Sequence, residues 1–395
     1  MKKSSNVSQM TREKLKQLHK KEIFLHTLRS GAGDGGGISR AELTEKMKLS
    51  FPSVSALVDE MIEGGILVET GALEMGVRGR PRTLLRVRSD YVHVPVLELL
   101  GDGYRLVVFD LYGNVLEERF CPFCRDPEAG EWRPRMEALC APAEAAVQGM
   151  EDKYKLSDMM ITLPGNINEQ GAFSSSSASM VSPPSFLENL EAAVGRKVIP
   201  MNRADCFAYA ERLYSPVSKD YIFLHISEGV GAGIIRDGQV FRSEPWRAGE
   251  IGHMSVNFDG PRCKCGNRGC LELYISTTAI ARECAPFTGD CADYGKVVRS
   301  YNQGNADIVP ILMKKTRILV SALNNVFALH PVSDVIIGGT ITQLGDDFLR
   351  QLETEIANHT SRMYKGKFTI AFSKNYSDDS TIGAFHNYVD HIMKL

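Results

Sequence analysis

The chain has 395 residues, 43% of them hydrophobic, which is enough apolar content for two or three domains with cores of their own. Net charge is only −2, yet residues 1–90 hold 16 Lys and Arg against 11 Asp and Glu while the rest hold 30 against 37, so a basic N-terminal part suited to a polyanion precedes an acidic body. No apolar run reaches the roughly 18–20 residues of a membrane span, Met1–Asn6 is followed by polar residues so that no signal peptide is expected, and nine clustered cysteines suit a reducing compartment; a cytoplasmic protein with no membrane partner is expected.

A first helix is expected over Thr11 to Arg29, where Leu15, Leu18, Ile23, Phe24, Leu25 and Leu28 recur at near-helical spacing among basic residues. A glycine-rich loop follows, from Gly31 to Gly37. Ser39, with Glu42 three residues on, forms a capping box that opens a short helix from Arg40 to Lys48. After the turn Leu49-Ser50-Phe51, Pro52 suits a first helical turn. A third helix is expected from Ser53 to Glu63, with Val54, Leu57, Val58, Met61 and Ile62 inward, ending at Gly64-Gly65. Two short helices joined by a tight turn make a helix-turn-helix, whose second helix enters the DNA major groove N-terminus first. Ser53 and Ser55 would then face the bases, flanked by Ala56 and Asp59.

The same helices would serve in a plain three-helix bundle, and the next segment separates the two readings. Ile66 to Glu69 alternates like a strand and Thr83 to Arg88 reads as its return partner. Between them Arg78, Arg80 and Arg82 are spaced by Gly79 and Pro81 on a narrow tip. Such a wing neutralises phosphates or enters the minor groove, and double-stranded DNA is the expected partner of a winged helix-turn-helix over residues 1–90.

From Tyr91 onward strands and helices alternate: Val92 to Leu100 and Leu106 to Leu111 as a pair, then strands at Met159–Leu163, Tyr221–Ile226 and Asp334–Ile337, with a long helix from Ala306 to Leu329. This pattern predicts an α/β fold over residues 91–395 with mixed sheets and loops aimed at a central cleft. The densest chemistry is Gly249-Glu250-Ile251-Gly252-His253 followed by Cys263-Lys264-Cys265 and Cys270. Three cysteines within eight residues make a thiolate knuckle, and His253 ten residues upstream completes a tetrahedral Cys₃His set for Zn²⁺ over residues 253–270. Four protein ligands fill such a site, so the ion would be structural; free buried thiols are the alternative. Cys121-Pro122-Phe123-Cys124 has redox spacing without a thioredoxin-like context, so incidental thiols are expected there.

Gly229-Val230-Gly231-Ala232-Gly233, Ala248 to His253, the cysteine knuckle, Gly338-Gly339 and Ile382-Gly383-Ala384 together resemble the ROK family of repressors, open-reading-frame proteins and sugar kinases. The resemblance spans nearly the whole chain and is strongest to the repressor branch, whose members respond to xylose, glucose or N-acetylglucosamine 6-phosphate. It implies a two-lobed, actin-like ATPase fold. It also implies that Glu250, His253 and Glu272 contact sugar hydroxyls, for which carboxylates and an imidazole are natural partners. A family kinase carries an Asn-Asp pair before a helix, the Asp being the general base. Here Asn202 matches, but Arg203 stands at the base position and cannot accept a proton near neutral pH. The family's phosphate-binding turn corresponds to Glu98–Gly103, where Glu98 and Asp102 would repel polyphosphate. The sugar loop Ser174–Ser179 lacks the family Asn, and Trp246-Arg247 replaces small residues.

No catalytic residue is therefore assigned. The expectation is a repressor controlled by a sugar or sugar phosphate, with Arg203 and Arg247 either binding an anionic group or, for Arg203, pairing with a neighbouring carboxylate. Two chains, or four, would present their winged helices to a palindromic operator. The alternatives are an active ROK-type sugar kinase with an accessory DNA-binding head, and a ligand-independent DNA-binding protein with a vestigial pocket.

Overall fold

A computed structural model describes residues 12–32, 36–73, 82–122, 139–167, 173–175, 180–181, 185–214, 218–241, 249–289, 292–330, 332, 334–362, 366, 368–374 and 379–395. Helix α1 (Arg12–Gly31) leads into strand β1 (Ile38–Ser39), α2 (Arg40–Met47) and α3 (Phe51–Glu63). The capping box forms as expected: the Ser39 hydroxyl accepts the Glu42 amide and the Glu42 carboxylate accepts the Ser39 amide at 2.8 Å. Lys48 turns the chain in the left-handed region, and Ser50 caps α3 by accepting the Ser53 amide. α3 thus begins two residues before the expected Ser53, because Ser50, not the turn after it, is the cap.

β2 (Leu67–Leu73) and β3 (Arg82–Val87) pair antiparallel, and β1 adds to β3, giving the three-stranded order β1-β3-β2. Ile23, Phe24, Leu43, Val54, Val58, Met61 and Leu85 bury the inner faces of these elements. Leu15 and Leu18 do not join them; they are 41% and 48% exposed, so the apolar stripe of α1 packs only from Ile23 onward.

The body holds two five-stranded sheets of the same design. In the first, β4 (Val94–Leu99), β5 (Gly103–Phe109) and β6 (Val115–Pro122) form an antiparallel meander. To this β7 (Met159–Leu163) and β11 (Val198–Asn202) add in parallel, giving β11-β7-β4-β5-β6. In the second, β12 (Tyr221–Ile226), β13 (Val230–Arg236) and β14 (Gln239–Val240) form the meander, and β15 (Asp334–Gly338) and β16 (Thr369–Phe372) the parallel pair. The order β14-β13-β12-β15-β16 repeats that of the first sheet, so the body is two copies of one lobe plan. The expected strand pair 92–100 and 106–111 is realised as β4 and β5, while β6 was not anticipated.

Short strands β8 (Asn166–Ile167), β9 (Phe173–Ser175) and β10 (Met180–Val181) form a small separate sheet. α4 (Cys140–Glu151) and α5 (Phe186–Val194) cover the first large sheet through a core that includes Leu97, Leu106, Ala143, Val147 and Leu190. α8 (Thr277–Cys284), α9 (Tyr294–Asn302), α10 (Ile308–Leu329) and α11 (Gly345–His359) belong to the second lobe. They share a core with Ile222, Leu224, Val335 and Ile337, in which α10 alone buries Leu312, Leu319, Val320, Leu323 and Phe327. Two helices lie between the lobes: α6 (Arg203–Tyr214) and α12 (Ser380–Asn387), the latter continued by a π-helical turn, Tyr388–Ile392. One apolar cluster runs from Ile23 and Phe24 of α1 through Phe207 and Tyr209 of α6 to Phe385, Tyr388 and Met393.

Candidate functional site

β13 organises the cleft. Its glycines let two other segments approach the backbone closely: Ala204 Cβ lies 3.3 Å from where a Gly231 Cβ would stand, and at Gly233 the Ala204 carbonyl oxygen would be 2.4 Å away. Along its edge the Ala232 amide donates to the Gly249 carbonyl at 3.1 Å. Gly249 has φ +86°, and a Cβ there would stand 2.0 Å from the Ala232 oxygen; one at Gly252 would stand 2.0 Å from the Val230 oxygen. Only glycine fits either place. α7 (Glu272–Ile275) opens with Glu272, whose carboxylate accepts the Val230 amide at 2.9 Å. The start of α6, the Glu250–His253 segment and Glu272 therefore all pack on β13, so the segments that carry the five residues expected to touch a ligand share one strand.

Their polar atoms are already partly engaged. Asn202 accepts the Ala204 amide at 2.8 Å and donates to the Gly165 carbonyl at 2.9 Å, anchoring the start of α6 to the end of β7. The Arg203 guanidinium lies over the Phe207 ring, with Nε 3.6 Å from Glu98 Oε1. Glu98 is 1% exposed and does not act as the bare repelling charge expected of it. One of its oxygens accepts Arg105 Nε and Nη2 at 3.0 and 2.7 Å; the other accepts the Ser380 hydroxyl at 2.5 Å. Arg105 also reaches Asp379 at 2.6 Å, and Thr162 pairs with Ser380 at 2.7 Å. A buried carboxylate requires such compensation. Trp246, Arg247 and Ser176–Ser179 lie outside the described residues, so the expected role of Arg247 rests on sequence.

The knuckle follows directly. His253 Nδ1, Cys263, Cys265 and Cys270 offer four ligand atoms that all lie within 4.8 Å of one another. Cys265 and Cys270 sulfurs are 3.6 Å apart, and Cys263 Sγ is 3.7 Å from His253 Nδ1. Two thiolates about 2.3 Å from a shared tetrahedral ion lie roughly 3.8 Å apart, so the donor set fits a metal ion. Burial pushes the Cys263 and Cys270 thiols up, which a cation would reverse. His253 Nε2 points the other way, 3.7 Å from Glu250 Oε2. A single imidazole thus joins the knuckle to the cleft.

At the other end of the molecule the exposed N-terminal turn of α3 presents Phe51, Pro52, Ser53 and Ala56, with Ser55 half-buried. α3 has no basic residue, and two of its three acids are compensated: Asp59 pairs with Arg40 at 2.7 Å, and Glu60 with Lys16 and Lys20 at 2.8 and 2.9 Å. Arg78 and Arg80 lie outside the described residues. Arg82 opens β3, and its side chain is outside them too.

Three features escaped the sequence reading. Arg40, which also reaches Glu69, ties α2 to α3 and β2. Phe51 is 52% exposed on the leading turn of α3. The Glu98–Arg105 pair was foreseeable, because a lone acid inside the apolar strand Val94–Leu99 demands a countercharge and a hairpin about Gly101 sets 98 opposite 105, as observed.

Among known proteins, the ROK family profile matches residues 101–389. The chain is 26% identical over 370 residues to the xylose repressor of Caldicellulosiruptor bescii, covering 88% of this chain and 89% of that one. Among solved structures it is similar to a ROK family transcriptional regulator, a homologue of the Escherichia coli Mlc protein, with TM-score 0.76 at 23% identity over 94% of this chain and 97% of that one. It is also similar to the ROK hexokinase of Thermus thermophilus, with TM-score 0.62 at 23% identity over 75% of this chain and 97% of that one. The fold is the two-lobed α/β fold of these proteins, and the chain belongs to the ROK family.

Proposed function

We propose that this protein is a DNA-binding transcriptional repressor in which residues 1–90 form a winged helix-turn-helix and residues 91–395 a sensor that binds a sugar or sugar phosphate without transferring phosphate. The observation that carries the reading is the charge at the cleft. Arg203 stands where a ROK kinase has its base, and its partner Glu98 lies on the strand leading into the turn that would hold polyphosphate. The C. bescii relative, named a xylose repressor, supports regulation over catalysis.

Ser53 and Ser55 at the start of α3 meet base edges and phosphates through small hydroxyls, and Arg78, Arg80 and Arg82 of the wing supply the charge that α3 lacks. In the cleft, Glu250, His253 and Glu272 read sugar hydroxyls beside Asn202. Arg203 reads an anionic substituent only by exchanging Glu98 for it. Zn²⁺ on His253, Cys263, Cys265 and Cys270 braces the segment between Glu250 and Glu272 and has no catalytic part. The protein acts in the cytoplasm as a homodimer or homotetramer on a palindromic operator.

Selection of bound duplexes from a random DNA pool by the full-length protein, followed by titration with xylose, glucose, N-acetylglucosamine and the 6-phosphates of the last two, tests the whole reading. The expected result is a palindromic consensus bound with strong salt dependence. One sugar should shift that affinity by about 5–150-fold. ATP-dependent phosphorylation of any of these sugars would sink it. A consensus with no response and no thermal shift would leave a ligand-independent DNA-binding protein.

A further inference from the structure

α12 and its π-helical extension connect the cleft to the DNA-binding end. Ser380, the first residue of α12, donates to Glu98 and is paired with Thr162, while Asp379 caps the helix and holds Arg105. The far end is gripped by α1: Lys21 donates to the carbonyls of Val389 and Met393, the latter at 3.0 Å, and Arg29 pairs with Asp390 at 3.1 Å. Val389 and Met393 also pack in the core with Ile23 and Phe24. Between these ends there is no slack. Gly383 lies so close to α6 that a Cβ would stand 1.8 Å from the Cys206 oxygen. Phe385 stacks on Phe109 at 4.9 Å, and the Tyr209 hydroxyl of α6 donates to Asp390 at 2.7 Å and lies 2.8 Å from His391 Nε2.

We infer that residues 380–392 act as a rod that carries the state of the cleft to α1, with Glu98 and Ser380 as positioning residues at one end and Lys21 and Arg29 at the other. A packed helix roughly 18 Å long, clamped at both ends, shifts as a unit rather than bending. Its cleft end rests on Glu98, the carboxylate that also holds Arg203. Any ligand that draws Arg203 away changes the charge at the cap of α12, and α1 moves with the helix. The inference rests on the proposed sensing role, but its test needs neither sugar nor operator.

The experiment is amide hydrogen exchange on the full-length protein, comparing wild type with Ser380→Ala and Glu98→Gln. Exchange in α1 from Ile23 to Leu28 should rise about fivefold or more, while β12 and β15 keep wild-type rates. Coupling is reciprocal, so Arg29→Gln should speed exchange at Thr381–Gly383 by a similar factor. An α1 rate within twofold of wild type in both cleft variants, or no faster a rise there than in β12, overturns the inference. So does an Arg29→Gln effect confined to α1. Failure of the DNA selection would refute the proposed function and leave this readout standing.

Discussion

Removing Arg105 isolates a charge that is almost wholly buried. Glu98 is 1% exposed, and Arg105→Met deletes both guanidinium hydrogen bonds to its Oε2. What remains is the Ser380 hydroxyl and, at 3.3 Å, the Ser380 amide on Oε1, with the longer 3.6 Å approach of Arg203. Breaking one side of a buried pair costs about 3–5 kcal/mol. Because Arg105 is itself 20% exposed and Arg203 remains, the low end applies, about 3 kcal/mol. The reverse change is milder: in Glu98→Met, Arg105 keeps Asp379 at 2.6 Å and Glu118 at 3.3 Å, so the loss should be roughly 1–2 kcal/mol. The double variant Glu98→Met/Arg105→Met leaves no uncompensated charge in the strand and should be more stable than Arg105→Met alone, by about 1–2 kcal/mol. Equilibrium urea unfolding followed by circular dichroism measures all three. Simple additivity of the two single losses, or a loss below about 1 kcal/mol for Arg105→Met, would show that Glu98 is not held by Arg105 as argued.

Arg203→Asp restores the residue type of the kinase base but sets a second carboxylate beside buried Glu98, so it should destabilise the protein and yield no ATP turnover in a coupled assay; measurable sugar phosphorylation would contradict the account of the cleft. Cys270→Ser removes one of four metal donors, and atomic emission of the purified protein should fall from about one zinc per chain to well below it, with earlier thermal unfolding. Ser39→Ala breaks the capping box of α2 and should cost about 1 kcal/mol together with a loss of DNA affinity, read by urea unfolding and a binding titration. Burial holds the half-buried His386 imidazole below its ordinary value, so the folded chain binds fewer protons there than the unfolded chain. Stability from this group is full above about pH 6.5 and is lost as pH falls below it. His386→Asn should flatten that part of the urea midpoint against pH.

Local chemistry was legible because it is written in adjacent residues. The capping box, the glycine stop of α3 and the Cys₃His spacing each bring their partners together within one turn or one knuckle. Strands Met159–Leu163 and Tyr221–Ile226 were readable to the residue, since mainly apolar runs, broken only by Thr162 and His225, lie between turn or polar residues that fix their ends. What was not legible depends on distant partners. Nothing near Leu15 and Leu18 says that α1 packs only from Ile23 onward, because the residues that cover Ile23 and Phe24 include Val389 and Met393. Of the groups that hold Glu98, Arg105 was within reach of a hairpin reading, but Ser380, 282 positions away, was not. Edge strand β6 escaped for another reason: its alternation ends in Cys121-Pro122, which reads as a break although an edge strand tolerates proline.

The two departures from the kinase pattern that bear on phosphate transfer, at positions 98 and 203, are one structural change. A catalytic base needs an unpaired carboxylate at position 203, and a phosphate-binding turn needs backbone donors and no acid near position 98. In this chain both signs are reversed, and the reversed charges face each other at 3.6 Å. Neither substitution alone is comfortable: arginine at 203 without Glu98 leaves a half-buried cation facing Phe207, and Glu98 without its arginines is a buried anion held only by the hydroxyl and backbone amide of Ser380. Together they make a neutral cluster with Arg105 and Asp379 that reaches the first turn of α12. A nucleotide would bring polyphosphate to this place in a kinase; here the cleft carries its own fixed charges, tied through Ser380 to a helix that ends against α1. Loss of catalysis and the connection to the DNA-binding end thus follow from the same residues.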